Sequence, residues 1–510
     1  MISYPLLTII IFWPLAGSLL VLSFWRYSQT VRRLALVVAL TELLLVVSLF
    51  FLHLHPDPAD GWLLREDFSW IDQFGVRYSL GLDGISFMLL CLTALLGVLA
   101  ILASWQQISE RSGLFYCMLL LTQSAVTGVF LATDLFLFYL FWEMQLIPML
   151  FLIGIWGHEK RIHAALKFFL FNIAGGLLML AALITLYLVH ARQTGDYSFA
   201  LSHLLQTRFD PGLEIWLYGA FLLAFAIKIP IFPLHGWLPD AHTEAPTAGS
   251  IILAGLLLKT GAYALLRFAI PLFPLAAHQL MPLLLILGLV GIVYASLVAL
   301  GQKDMKRLVA YSSIGHMGLV VIGLAVWDSL TLSGSILQMV NHGITTAALF
   351  IMVGMLDERF HTRTLADFGG LWKSMPMFSA FFLLFAMASL GLPGLNNFVS
   401  EFLILIGVFR VHPLVGSLAF LTIVLTLVYV LKLVQDALFG QAKHPRGRDL
   451  TLRELILLLT VALAVIGNGL YPQPILTMLR TPVQRLIDQA NVPSQPETTF
   501  TDGRVRNNEH

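Results

Sequence analysis

Six ionisable side chains sit in stretches of this sequence that are otherwise apolar enough to fill a bilayer. Glu143 lies in DLFLFYLFWEMQLIPMLFLIGIW, Lys228 in FLLAFAIKIP, Lys259 in IILAGLLLKTGAY, His316 in YSSIGHMGLVV, His342 in LQMVNHGITTAALF and Glu401 in GLPGLNNFVSEFLILIG. A seventh, His235, follows Lys228 across a segment rich in proline. Ionisable groups at bilayer depth are costly, and where they occur they line polar paths or sites. Glu143 falls about eight residues into its run, roughly 12 Å deep at 1.5 Å per residue, and Lys259 is similarly central. Carboxylates, amines and imidazoles at one depth suit one chemistry above others, the stepwise transfer of protons.

The magnitudes agree. Two unit charges about 4 Å apart interact by roughly 4 kcal/mol at an effective dielectric near 20, and moving a charge against 100 mV costs about 2.3 kcal/mol. Bringing a carboxylate to a lysine and removing it again therefore changes the lysine's hold on its proton by enough to work against a physiological potential. Glu143 and Lys228 are the candidates for that pair. Lys259 is the candidate receiver, reached through water and the histidines, and Glu401 the candidate for passing the proton toward the outer side. His235, His316 and His342 are candidate relays.

Each residue also has a plainer reading. Glu143 and Lys228 could form a static salt bridge, although buried pairs are seldom a good source of stability. Lys259 could snorkel. Either central histidine alone could be a satisfied core residue, and His235 could serve helix packing. Glu401 could cap the helix that follows GLPG, since an acid near a helix N-terminus is favourable. Lys432, near a span end and four residues before Asp436, reads as a surface residue. The joint occurrence of these groups favours the conducting reading.

The elements that must position them follow from composition. The chain has 510 residues, 58% hydrophobic and only 12% charged, with a mean hydropathy of +0.84. A soluble chain could not hide that much apolar surface. A net charge of +1 gives no reason to expect nucleic acid. Cys91 and Cys117 both fall in apolar spans and supply neither a disulfide framework nor a cysteine metal cage, so no metal site is expected. With no CxxC, P-loop or dinucleotide fingerprint, redox cofactors have no visible home on the chain. MISYPLLTII lacks a positive n-region and reads as a retained first span.

With about 20 apolar residues needed per crossing, the expected fold is an all-α polytopic membrane protein of about fourteen spans. They fall at 5–25, 31–53, 82–104, 114–132, 135–156, 165–190, 213–232, 249–271, 279–300, 305–325, 330–356, 376–409, 412–438 and 452–470. Pro230, Pro233, Pro239 and Pro246 predict a seventh span broken after Lys228 and resuming over 234–246; Gly391, Pro393 and Gly394 predict a broken twelfth. Spans 4–8 and 9–13 each carry the break in their fourth member. Five is odd, so the second unit must be inserted upside down relative to the first, the inverted-repeat arrangement of ion-coupled transporters. The expected division is 1–110 (three N-terminal spans), 111–272 (first repeat), 273–440 (inverted repeat) and 441–510 (last span and polar tail).

Alternate loops carry sixteen basic residues on one side, from Arg26 to Arg453, against mainly Arg65, Arg77, Arg192, Arg208 and Arg410 on the other. The richer side should be cytoplasmic, which puts both termini outside, together with the acidic 54–80 loop (Asp57, Asp60, Glu66, Asp67, Asp72). The last forty residues predict a short amphipathic piece, 475–489, and then disorder.

At these residues the sequence resembles a known family. HGWLPDAHTEAPTAGSIILAGLLLKTGAY (235–263) closely resembles the antiporter-like subunits of respiratory complex I, as do FWEMQLIPMLFLIGIWG (141–157), KRLVAYSSIGHMG (306–318) and GLPGLNNFVSEF (391–402). The resemblance implies a fourteen-helix fold with two inverted five-helix repeats, and proton pumping in a bacterial inner membrane driven by quinone reduction elsewhere in the complex. By motif position Glu143, Lys228 and Lys259 match the family's proton-transfer residues, and His235, His316 and His342 its polar axis. It implies no cofactor on this chain; flavin mononucleotide, iron–sulfur clusters, NADH and quinone would belong to other subunits. The implied partners are L-type and N-type membrane neighbours and lipid. The tail is too short for the L type, and Glu401 replaces the lysine expected of the L and N types, so the resemblance is to the M type. Asn396–Asn397 departs from the small residues expected at that break. Related assemblies give the competing readings, a subunit of a multisubunit sodium/proton antiporter or of a membrane-bound hydrogenase. A purely structural membrane subunit is a further one.

Overall fold

The computed structural model describes residues 5–52, 61–444 and 447–490. Asp57, Asp60, Arg446 and the tail beyond 490 lie outside the described residues. Among them, thirteen helices are long and apolar enough to cross a bilayer: Leu6–Ser23, Ser28–Phe51, Gly84–Ala103, Ser112–Leu131, Leu135–Trp156, Arg161–Thr194, Pro211–Lys228, Thr247–Leu272, Pro274–Leu300, Met305–Val326, Ser329–Phe360, Pro413–Leu438 and Leu452–Leu470. The broken pair Pro376–Leu390 and Asn396–Val411 completes the set as the twelfth. Spans are numbered in this order below, and all fourteen fall where the apolar runs place them.

Burial sorts the spans. Spans 8 and 11 are enclosed throughout their membrane-length cores and span 10 nearly so, whereas spans 2, 13 and 14 leave most of theirs uncovered. The uncovered faces are apolar, with Trp216, Leu414 and Leu463 among the most exposed residues, as expected of a surface that meets lipid or protein within a membrane. Apart from Glu143 on the partly covered span 5, the candidate proton carriers therefore sit on the enclosed spans and at the breaks.

Both expected breaks are present. Span 7 stops at Lys228 and resumes as Trp237–Glu244, three residues later than expected. Pro230 has positive φ, the Phe232–Pro233 peptide is cis, and neither proline offers an N–H to a helical ladder. Trp237 fastens the returning half-helix by donating from Nε1 to the Ile227 carbonyl at 2.9 Å. Span 12 stops at Gly391, whose φ of +79° makes it a left-handed cap. Leu395 then leads into the second half, which starts at Asn396. The asparagine that departs from the family's small residues staples the break to span 11. Asn396 Nδ2 donates to the Asn341 carbonyl and to Thr345 Oγ1, both at 3.0 Å.

Span 8 holds a feature the apolar pattern does not announce. It contains two π-helical turns, Leu253–Leu257 and Leu265–Ala269, on either side of the α-helical segment that carries Lys259. Such wider turns displace side chains from ordinary α register and are frequent at functional positions.

The acidic loop is also more ordered than a loop. Leu64–Ile71 (β1) and Val76–Leu82 (β2) pair antiparallel, turning at Asp72–Phe74 and Gly75, whose φ is +63°. Glu66 accepts from the Leu7 and Thr8 backbone N–H groups at 2.6 and 3.0 Å and so caps the first span. Asp83 caps span 3 and takes a buried ion pair from Arg267 at 2.5 Å, locking span 8 to the hairpin side. The amphipathic tail piece is a helix, Gln473–Ala490, burying Leu479, Pro482, Val483 and Leu486, and it packs on spans 3, 8 and 11.

Candidate functional site

The candidate residues fall into two groups with different geometry. In the first, Lys228 ends the first half of span 7 and is fully buried. Its ammonium has no hydrogen-bond partner among the described residues and lies 4.6 Å from the centroid of the Trp142 ring, a cation–π contact. Glu143 is the next residue along span 5. Both of its carboxylate oxygens are enclosed and unpartnered, and the carboxylate fills the space that a Cβ on Gly176 of span 6 would need. No ion pair within 4.0 Å joins Glu143 to Lys228 among the described residues, although the two charges are close enough to interact through space. The static salt bridge is therefore not the arrangement seen. On its other side the Lys228 stem is clamped by span 8, where a Cβ on Gly261 would come within 3.0 Å of Lys228 Cβ and 2.9 Å of Ile229 Cγ1.

In the second group the polar atoms meet. The Lys259 ammonium donates to the Ala254 carbonyl at 2.5 Å and to His342 Nδ1 at 2.8 Å. Ala254 sits in the first π turn, five residues back, so the widened turn brings a carbonyl to a lysine far from any surface. With Lys259 donating, the neutral His342 ring carries its proton on Nε2. The His342 and His316 rings are 5.4 Å apart between centroids. His316 Nδ1 then donates to Glu401 Oε1 at 2.9 Å, and Gln338 Nε2 donates to the same oxygen at 3.0 Å. Ser400 donates to Gln338 Oε1, and Asn341 Nδ2 donates to Ser400 Oγ at 3.2 Å. Lys259, His342, His316 and Glu401 thus form a buried thread across spans 8, 11, 10 and 12. Its unbonded step lies between the two imidazoles, each of which leaves Nε2 without a protein partner.

The remaining candidates separate. Lys259 does not snorkel. Glu401 lies five residues past the first residue of its half-helix and caps nothing; its outer flank borders an apolar groove of about 780 Å³ beside Phe398, Phe402 and Phe409. His235 stacks on Phe232 at 5.6 Å and meets Tyr294 edge-on at 5.1 Å, with Nδ1 unpartnered among the described residues, and it touches no other candidate by a hydrogen bond among those residues. Lys432 is exposed and reaches the Leu300 carbonyl at 3.4 Å.

Two residues of the site went unnoticed in the sequence. His242, in the second half of span 7, is fully buried against Phe350 with both nitrogens unpartnered. It lies within electrostatic reach of Lys259 on one side and Lys306 on the other. Lys306, also buried, donates to the Ala245 carbonyl. Its charge interacts with Asp304, Asp357 and Arg363, which line a polar cavity of about 590 Å³ with His158, Asp240 and Arg307. Both residues stand in the stretches quoted above, His242 between Asp240 and Glu244 and Lys306 between Asp304 and Arg307, so their polar neighbours gave no apolar run to mark them.

Comparison with known proteins agrees with this geometry. Residues 132–426 match the family model described as NADH:quinone oxidoreductase/Mrp antiporter, transmembrane, and residues 62–133 match that for the amino terminus of NADH-ubiquinone oxidoreductase chain 4. NADH-quinone oxidoreductase subunit M of Pseudomonas aeruginosa is 46% identical over 477 residues, covering 91% of this chain and 94% of that protein. A chain of respiratory complex I from Thermus thermophilus superposes with a TM-score of 0.87 at 31% identity, over 95% of this chain and all of that one. The Mrp complex of a Dietzia species shares the fold, with a TM-score of 0.80 at 23% identity over 94% of this chain and 51% of that chain. The chain belongs to the antiporter-like membrane subunits that NADH:quinone oxidoreductases and Mrp antiporters share, on the branch of subunit M.

Proposed function

We propose that this chain is the proton-translocating M-type membrane subunit of a bacterial NADH:quinone oxidoreductase, and that its protons move along the buried axis described above. The observation that carries the reading is the thread Lys259–His342–His316–Glu401, with bonded steps of 2.8 and 2.9 Å inside a membrane-spanning bundle. Purely structural polar residues have no need to connect spans 8, 11, 10 and 12 in sequence. The subunit M relatives favour this reading over a sodium/proton antiporter or hydrogenase subunit.

In this reading Glu143 and Lys228 are the switch and the thread is the conductor. When the carboxylate approaches, Lys228 holds its proton; when it withdraws, the proton passes through water toward Lys259. Lys259 gives it to His342 Nδ1 while the proton on Nε2 leaves toward His316, and Glu401 receives it. The energy comes from quinone reduction on other subunits, which also hold the flavin mononucleotide, iron–sulfur clusters and NADH. The neighbours are other membrane subunits of the complex, of the L and N types. Residues 111–272 and 273–440 act as two functional units. The basic loops face the cytoplasm and both termini face the periplasm.

The test uses the intact complex with Lys228→Ala and, separately, Lys259→Ala. Normal assembly, copurifying flavin and iron–sulfur absorbance, lost proton transport and slower coupled quinone reduction are expected. Unchanged transport would overturn the reading. So would assembly that fails in both variants while Lys228→Arg and Lys259→Arg restore assembly and transport together, because that would make the charges structural.

A further inference from the structure

At the hairpin end of spans 6 and 7, away from the proton axis, three side chains gather whose chemistry the function leaves unused. His190 lies one turn before the end of span 6, Asp196 follows the helix cap Gly195, and His203 sits on the short helix Leu201–Leu204. One donor atom from each lies within 4.8 Å of the others. We propose that His190, Asp196 and His203 form a binding site for a divalent first-row transition metal of the zinc class.

The local structure is arranged as a metal site requires. His190 is buried, and its Nδ1 is fixed by Thr207 Oγ1 at 2.8 Å. With Nδ1–H donating, the lone pair is on Nε2, and this use of an outer partner to set a ligand's tautomer is a recurring feature of metal-binding histidines. Gly195, at φ +77°, turns the chain so that Asp196 returns toward the helix end. Its Oδ2 lies 3.4 Å from His203 Nδ1.

Two imidazoles and one carboxylate suit zinc, copper or nickel, whereas magnesium and calcium favour all-oxygen shells. Metal–ligand bonds of about 2.0–2.2 Å place tetrahedral ligand atoms about 3.3–3.5 Å apart. The three donors must therefore draw together slightly on binding. Asp196 and His203 are exposed and held by each other, while His190 is buried and is the fixed member. Three protein ligands leave a fourth position for water. The two histidines are not joined by any short motif, so cysteine and histidine spacing gives no sign of the site.

The experiment adds zinc alone to the intact, tag-free, chelator-stripped complex and reads binding by competition with a chromophoric chelator. Cobalt added alone reports geometry through its visible absorption. The wild type is expected to hold a tight equivalent that His190→Ala and His203→Ala weaken at least about tenfold, and that Thr207→Val weakens by about 10- to 100-fold through its hold on His190. Quinone reduction in the absence of metal is unchanged in His203→Ala, whose side chain is exposed. If His190→Ala does not assemble, His203→Ala and Asp196→Asn decide. Equal stoichiometry and affinity in wild type and these variants, or no binding by the wild type, would overturn the proposal.

Discussion

The two halves of the proposed proton axis solve the problem of buried charge in opposite ways. Around the break in span 7, Lys228 and the carboxylate of Glu143 are enclosed and have no protein hydrogen-bond partner. Beside the break in span 12, Glu401 accepts from His316 and Gln338, and the network runs on to Asn341 and Asn396. The charge also sits on different sides of its break, before it at Lys228 and after it at Glu401. A buried charge without partners is costly and held only by its surroundings, so its state is easily altered. A network bonded at most of its members, as here at all but the imidazole Nε2 atoms and Asn397 Oδ1, is the more closely specified of the two. The contrast implies a division of labour, with the first half suited to switching and the second to conduction.

The largest expected effect comes from cutting the conducting half. His342→Ala removes the ring between Lys259 and His316 and should slow proton uptake by about a hundredfold, the low end of the rate factor a positioned proton carrier contributes. Proton uptake by vesicles containing the assembled complex measures it; an undiminished rate would break the comparison. The switching half should tolerate more. Glu143→Asp keeps the charge and lengthens the gap, and a bridging water costs about 0–2 kcal/mol, so transport should fall by less than about thirtyfold. If Glu143→Asp were worse than His342→Ala, the assignment of roles would be reversed.

Packing gives a smaller, sharper probe. Gly261→Val drives a side chain into Ile229 and the Lys228 stem and should cost about 1–3 kcal/mol by overpacking, read as a lower thermal midpoint of the purified complex. Gly219→Ala, where no neighbour lies within 4 Å of the added carbon, is the control.

The smallest effect belongs to the polar cavity beneath Lys306. Burial, then the charges of Lys306 and Arg363, hold the His158 imidazole down at about 4. Between that value and the ordinary value of about 6.5, the unfolded chain binds the proton and the folded chain does not. Stability therefore falls as pH drops from about 6.5 to about 4, and His158→Gln should flatten that slope in thermal-shift measurements. An unchanged slope would place the titrating group elsewhere.

Much of this molecule was legible in its residues because the bilayer imposes a coarse ruler. Runs of the required length located every span, and proline and glycine located both breaks. What stayed hidden depended on finer geometry. The two π turns in span 8 leave the apolar pattern intact, so nothing marked Ala254 as the carbonyl waiting for Lys259. The β1–β2 hairpin was present as LREDFSWI and VRYSLGL around a glycine turn, yet its charges masked the alternation. Glu42, buried in span 2 and accepting from Gln123 at 2.6 Å, stands midway along an apolar run as the candidates do, but its span carries no break to draw attention to it. His242 and Lys306 belong to the axis only because the half-helix after the break folds back onto span 10. The missing bond between Glu143 and Lys228 is a matter of a few ångströms, which spacing along a chain does not fix.

Switch and conductor can work together only if a wettable path links them, and a high-resolution density map of the intact complex is the sharpest check of that path. Ordered water is expected within hydrogen-bonding distance, about 2.7–3.2 Å, of Glu143 and Lys228 Nζ, continuing toward Lys259. Close apolar packing around both groups, with no water density between Lys228 and Lys259, would contradict it.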